Sequence, residues 1–217
     1  MSRLAIAMAL GLLGLLGLLV ATPTAFAEEN LENGKAKFVV CEACHGPTGS
    51  GSKEIGAPRI AGQNHWYELR QLRNFKAGIR GANPKDTFGI VMRPMAMTLV
   101  SDQDVEDVIA YFSALKPDIL PETVQGGNAD KGKETYAICA ACHGDDGKGI
   151  EVLSAPRVAG IPDWYLQRQI QNFDTDIRGT HADDIFGRQM GVIQKIMLKD
   201  EQAILDVIAY INTLPKE

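Results

Sequence analysis

The chain has 217 residues, with 22 basic and 27 acidic side chains, a net charge of −5 and 45% hydrophobic residues. That length fits one large domain or two small ones. The acidic balance argues against nucleic acid as a partner and suits a protein that meets its partners through local charged patches.

The first 27 residues read as a secretory leader. Arg3 is positive, Leu4 to Val20 is an almost unbroken apolar run, and Ala25-Phe26-Ala27 forms an A-x-A cleavage site before Glu28. At about 17 apolar residues the run sits at the short limit for a membrane span, so a retained anchor is the alternative to cleavage. No later stretch is long and apolar enough to cross a bilayer. The expected location is the periplasm, with peripheral membrane association if the leader is kept. Four cysteines in such a protein ordinarily point to two disulfides; their spacing here argues otherwise.

A first helix is expected from about Leu31 to Val40, running into Cys41-Glu42-Ala43-Cys44-His45. A middle helix starts near Asn64 and carries Trp66, Leu69, Leu72 and Phe75. A last helix takes Ser101 as N-cap with Asp104 three residues on, an acidic version of the capping box. Its Val105, Val108, Ile109 and Phe112 follow the i, i+3, i+4, i+7 stripe. The segment from Pro117 to Gly127 has two prolines, two glycines and no helical period, which marks a linker.

Beyond the linker the sequence repeats. Cys139-Ala140-Ala141-Cys142-His143 follows the first motif by 98 positions, and APRIAGQNHWYELRQLRNFKAGIRG, from Ala57, returns as APRVAGIPDWYLQRQIQNFDTDIRG, from Ala155. Asp200 takes the cap position of the last helix, and Ile204, Val207, Ile208 and Ile211 repeat its stripe. Two copies of this length mean a duplicated domain rather than a solenoid. The expected organisation is a leader over 1–27, domains over 28–116 and 128–217, and a linker over 117–127. The first domain carries 11 basic and 11 acidic residues, the second 10 and 14, so the molecule is electrically lopsided. Strand-like alternation is absent and the class is all-α. Domains of this size with so much loop have small cores and need something large and apolar to fold around.

C-x-x-C-H is the attachment signature of c-type haem. Two thiols three positions apart can each form a thioether with one haem vinyl group, and the adjacent His is then directed at the iron. Two such motifs, at equivalent places in a duplicated domain, predict two covalent haems on Cys41, Cys44, Cys139 and Cys142. Structural zinc needs four ligands, and each half offers three. A thioredoxin-like redox pair would sit near a βαβ pattern, which is missing. A Cys41–Cys44 disulfide leaves the recurrence of His45 and His143 without a reason.

A Met thioether opposite His gives an electron-transfer haem of raised potential. Met92 lies 47 residues after His45, and Met190 lies 47 after His143. These are the expected axial pairs, with Met95 and Met197 as the respective rivals. Met95, Met97 and Met197 are otherwise expected to be packing residues. His65 and His181 lack counterparts in the other half and are expected at the surface, with bis-His ligation as the alternative.

The motifs CEACHG and CAACHG, both APR-[IV]-AG segments, WYELRQLRNFKAGIRG with its counterpart, and M-x-x-x-A from Met92 carry a family resemblance. Each half resembles a small class I cytochrome c domain, and residues 30 to 215 together resemble the dihaem cytochrome c4 family. The second half departs from the last pattern, with Gln194 in place of Ala. The resemblance implies that Pro58 and Pro156 accept the Nδ1–H of the proximal histidines. It implies that Gly34 and Phe38, and Gly132 and Tyr136, meet Tyr111 and Tyr210 where terminal helices cross. Arg59 and Arg157 are candidates to pair with haem propionates, the alternative being solvated loop arginines. Trp66, Tyr67, Trp164 and Tyr165 are candidates to wall the haem or reach a propionate, the alternative being ordinary core aromatics. It further implies that the two domains face each other through their propionates.

The expected function is electron carriage between a respiratory donor, either a quinol-oxidising complex or a dehydrogenase, and a terminal oxidase or other acceptor. Redox proteins are the expected partners, and the expected form is a monomer without catalytic residues. The alternatives are a cytochrome subunit of a larger oxidoreductase and a dihaem enzyme such as a peroxidase or thiosulfate dehydrogenase.

Overall fold

The computed structural model describes residues 29–216; the leader expected over residues 1–27 lies outside them. Among the described residues, eight α-helices and one short 3₁₀ turn, Glu151–Leu153, form the regular structure, four helices on either side of residues 117–127. Among the described residues the only β-pairing is two isolated bridges, Ser52 with Ala57 and Ile150 with Ala155. The all-α class is what forms. No helix among the described residues is long and apolar enough to cross a membrane.

In the first half, α1 (Leu31–His45) crosses α4 (Asp102–Ser113) at Gly34. A Cβ there would stand 2.0 Å from the Asp107 carbonyl oxygen and 2.9 Å from the Tyr111 Cβ, so the crossing requires glycine. One turn on, Phe38 packs on Tyr111 with ring centroids 5.3 Å apart. In the second half, α5 (Ala129–His143) crosses α8 (Glu201–Ile211) in the same way. A Cβ on Gly132 would lie 1.9 Å from the Asp206 carbonyl oxygen, and Tyr136 packs on Tyr210 at 5.2 Å.

A buried carboxylate locks each crossing. Asp107 accepts from the Asn30 backbone N–H at 2.9 Å, Asn33 Nδ2 at 2.6 Å and Gln103 Nε2 at 2.7 Å. Burial works to raise its pKa, but these donors more than offset it and hold the carboxyl below the usual range. Asp206 does the same for Asn128 and Gln202, both at 2.7 Å. The expected caps form. Ser101 and Asp104 make a reciprocal capping box, while Asp200 accepts a single bond from the Ala203 N–H. The predicted stripes, Val105, Val108, Ile109 and Phe112, and Ile204, Val207, Ile208 and Ile211, are buried.

Between these lie α2 (His65–Ala77) and α3 (Thr87–Met97), and their counterparts α6 (Asp163–Asp174) and α7 (Ile185–Met197). Three helices per half are expected from the sequence, and α3 and α7 are the additions. They form because Asp86 and Asp184 cap them, each accepting from a glycine N–H at 3.0 Å. Residues 117–127 lie across both halves without forming a helix. Asp118 accepts from Thr48 at 2.9 Å and Ser50 at 3.0 Å, and Val124 N–H donates to Asp163 at 2.8 Å.

Candidate functional site

The two Cys motifs end α1 and α5. Gly46 and Gly144 then turn the chain at φ of 75° and 81°, values that favour glycine. The returning chain brings a proline carbonyl to each histidine: His45 Nδ1 lies 2.7 Å from the Pro58 oxygen, and His143 Nδ1 lies 2.7 Å from the Pro156 oxygen. A carbonyl only accepts, so Nδ1 carries the proton and Nε2 keeps its lone pair. Burial lowers the pKa of both imidazoles against the opposing pull of the proline carbonyls. Burial therefore favours the neutral ring, which is the metal-ligating form.

The four cysteines are free and partly buried. Burial first, and the neighbouring Cys44 second, push the Cys41 thiol up to about 11. Burial likewise raises Cys139. Redox-active C-x-x-C pairs show the opposite shift.

Both histidines and all four cysteines line one continuous cavity of about 840 Å³ that runs through both halves. This lies at the upper end of the range for single-ligand pockets. Its walls are largely apolar, with Leu72, Phe75 and Phe112 in the first half and Ile170, Phe173 and Ile211 in the second. Met92 and Met190, on α3 and α7, line it together with Met95 and Met197. The packing expectation fails for Met97, which is 61% exposed and outside the cavity lining. Met197 does pack against the second core. His65 lies outside the cavity lining near Glu29 and Glu106, and His181 is exposed beside Asp183.

The tyrosines and tryptophans divide. Tyr67 and Tyr165 line the cavity, whereas Trp66 and Trp164 stand behind them, edge-on at 6.1 and 6.0 Å. Arg59 and Arg157 both reach the cavity wall. Arg59 donates to two carbonyls, Ala61 at 2.7 Å and, across the halves, Gly160 at 2.9 Å.

A second set of arginines, unforeseen from the sequence, occupies the junction between the halves. Arg80 Nη2 donates to Tyr165 Oη at 2.8 Å, and Arg178 Nη2 donates to Tyr67 Oη at 3.0 Å. Arg80 also reaches Gln71 and Gln169, as does Arg178, at 2.8 to 3.2 Å. Farther out, Arg70 donates to the Ser154 carbonyl at 2.9 Å and covers the Phe186 ring; Arg168 donates to the Gly56 carbonyl at 2.7 Å and covers Phe88. Each contact of these four arginines has its partner in the other direction, as in a self-complementary two-fold interface. The available signal was the identity of these residues in both copies of the long repeated segment.

The geometry tests whether haem fits. The Nε atoms of Arg80 and Arg178 are buried without an acceptor. Among the described residues neither arginine has an ion-pair partner within 4.0 Å. Unpaired buried charged donors are costly, and both line the cavity. A large apolar ring system bearing carboxylates matches the greasy walls, the cysteines at one side and the cationic junction, so the residues fit haem.

Comparison with known proteins agrees. The cytochrome c family matches the chain twice, over residues 31–116 and 129–215. A cytochrome c4 of Stutzerimonas stutzeri is 32% identical over 211 residues, covering 91% of this chain and 96% of its own. A thiosulfate dehydrogenase electron acceptor of Stutzerimonas stutzeri strain A1501 is 31% identical over 185 residues, 80% of each chain. The crystal structure of reduced recombinant cytochrome c4 from Pseudomonas stutzeri aligns with a TM-score of 0.67 at 27% identity, covering 87% of this chain and all of that one.

Proposed function

This chain belongs to the dihaem cytochrome c4 family and carries two covalent haem c groups; from that premise we propose that it is a periplasmic electron carrier with both irons fully coordinated by its own side chains. Each half, 28–116 and 128–217, is read as one domain holding one haem. Cys41 and Cys44, and Cys139 and Cys142, provide the thioethers. His45 and Met92 would ligate the iron of the first half, and His143 and Met190 that of the second.

When bound, the haem supplies a one-electron couple. The protein's part is positional. The Pro58 and Pro156 carbonyls fix the proximal rings and raise their basicity. The apolar walls exclude water from the irons, and the methionine ligands favour the reduced state. Arg80 and Arg178 supply positive charge and donors where the halves meet, the side on which propionates find partners. The leader supports export through the sequence of residues 1–27 alone.

The observation that carries this reading is that both halves bring a proline-anchored histidine and a matched methionine to one cavity. Near-infrared absorption of the oxidised protein tests it. Met92→Ala and Met190→Ala should each remove about half of the methionine-ligation band. An intact band in Met92→Ala assigns the ligand to Met95 instead.

A second reading is a dedicated acceptor for one dehydrogenase, favoured by the likeness to a thiosulfate dehydrogenase electron acceptor. Isolation of the native protein separates the two. A free carrier elutes alone, and a dedicated subunit elutes with its enzyme.

A further inference from the structure

The two halves line the cavity with the same residues at most equivalent positions, but not at Glu68. Its counterpart in the second half is Leu166, a buried core residue that lines the same cavity. Glu68 sits on α2 and lines the cavity together with Leu72, Phe75, Val108 and Phe112, and with the polar Gln71 and Arg80. No hydrogen-bond donor among the described residues reaches that carboxyl, and no cation lies within ion-pair distance. The group is thus an ionisable side chain without a direct partner in the lining of the cavity, present on one side only.

We propose that Glu68 binds a proton in step with the redox state of the first haem, so that the first half exchanges an electron with a proton and the second half an electron alone. The inference rests on the haem reading of the cavity.

The surroundings decide where this group titrates. Burial dominates and pushes Glu68 up to about 8, with Arg80 pulling the other way. Arg80 is only a partial partner, since its Nη atoms are turned to Gln71, Tyr165 and Gln169. From its own helix, Tyr67 and Arg70 share the cavity wall; from the loop after α1, Arg59; from the start of α3, Asp86. The second half contributes Tyr165, Asp184, Arg157, Arg168 and Arg178 to the lining. Apart from Thr87, the side chains of α3 and α4 that reach the cavity are apolar: Phe88, Val91, Met92 and Met95, and Val108 and Phe112.

The balance is simple. An electron from the donor protein adds negative charge beside Glu68, and a solvent proton binds a carboxylate oxygen. On oxidation the electron leaves to the acceptor and the proton returns to solvent. Protonation removes a negative charge beside the iron, so the first potential falls as pH rises.

Potentiometric titration of the holoprotein from about pH 5 to pH 10 tests this, with the first-half wave identified as the one that Met92→Ala displaces. In the parent protein that wave should fall with pH across the region around pH 8. One proton per electron is a tenfold change per pH unit, which sets a limiting slope of ~59 mV for a one-electron couple. The second wave should be markedly shallower. Glu68→Gln, neutral and nearly isosteric, should flatten the first wave and leave it above the parent at alkaline pH. Glu68→Leu, which installs the second-half residue, should do the same. Equal slopes for both waves, or a first-wave slope that survives in both variants, would overturn the proposal. Absence of two reversible one-electron waves would instead overturn the haem-carrier reading beneath it.

Discussion

Gly34 and Gly132 sit at equivalent crossings and meet the same atoms of their partner helices, whereas Glu68 and Leu166 occupy equivalent places on one cavity wall with opposite chemistry. A second difference follows on α3 and α7. Ala96 is buried in the first half, and its counterpart Gln194 is buried in the second with both amide atoms unpaired; the structure offers no physical account of that amide. The duplicated scaffold therefore keeps what positions the helices and the histidines. What has diverged on the cavity wall is the charge at one position, Glu68 against Leu166.

The largest expected effect tests the shared part. Gly34→Ala and Gly132→Ala each force a methyl into a backbone carbonyl. Each should destabilise its own half by about 3 kcal/mol or more, the upper end for overpacking. Chemical denaturation followed at the haem bands reads this, and equal losses in the two variants would sharpen the equivalence of the halves. Next comes the junction. Arg80→Gln and Arg178→Gln each remove a buried charged donor, at about 1.5–3 kcal/mol. Both should lower both haem potentials through lost positive charge, because each arginine touches residues of both halves. An effect confined to one wave would break the reciprocal interface.

A pH-dependent effect separates the halves. Glu68 has an ordinary value of 4.5 and is raised to about 8 in the fold. Between these values the folded state keeps a proton that the unfolded state has released, so stability falls as pH rises through that window. Glu68→Gln should lack this fall. Its thermal midpoint should match the parent near pH 4 and exceed it near pH 8, while Leu166→Gln should introduce no such pH dependence. The smallest effect is at the caps. Ser101→Ala breaks a reciprocal box and Asp200→Ala a single bond. Both should cost about 1 kcal/mol, with Ser101→Ala the larger in thermal unfolding.

Much of this was legible in the sequence, for physical reasons. The stripes of α4 and α8 announce themselves because one face is buried, and their caps because Ser101 and Asp200 bond locally. The C-x-x-C-H motifs are local chemistry, and the 98-residue repeat made the matched methionines visible. α3 and α7 were not legible. Pro94 lies inside the first, and Gly187 and Gly191 interrupt the second, all poor helix formers. The arginine junction was hidden because its contacts join residues about 85 to 112 positions apart; only their recurrence hinted at a common task. Arg59 drew attention through its motif, yet it donates to the Ala61 and Gly160 carbonyls.

If His45, Met92, His143 and Met190 ligate the irons as proposed, neither iron has an open position for a small substrate. Adding carbon monoxide to the fully reduced holoprotein tests it most directly. The expected difference spectrum has no haem–CO signal from either half of the native protein, and a signal from one haem in Met92→Ala. Substantial CO binding by the native reduced protein would contradict it.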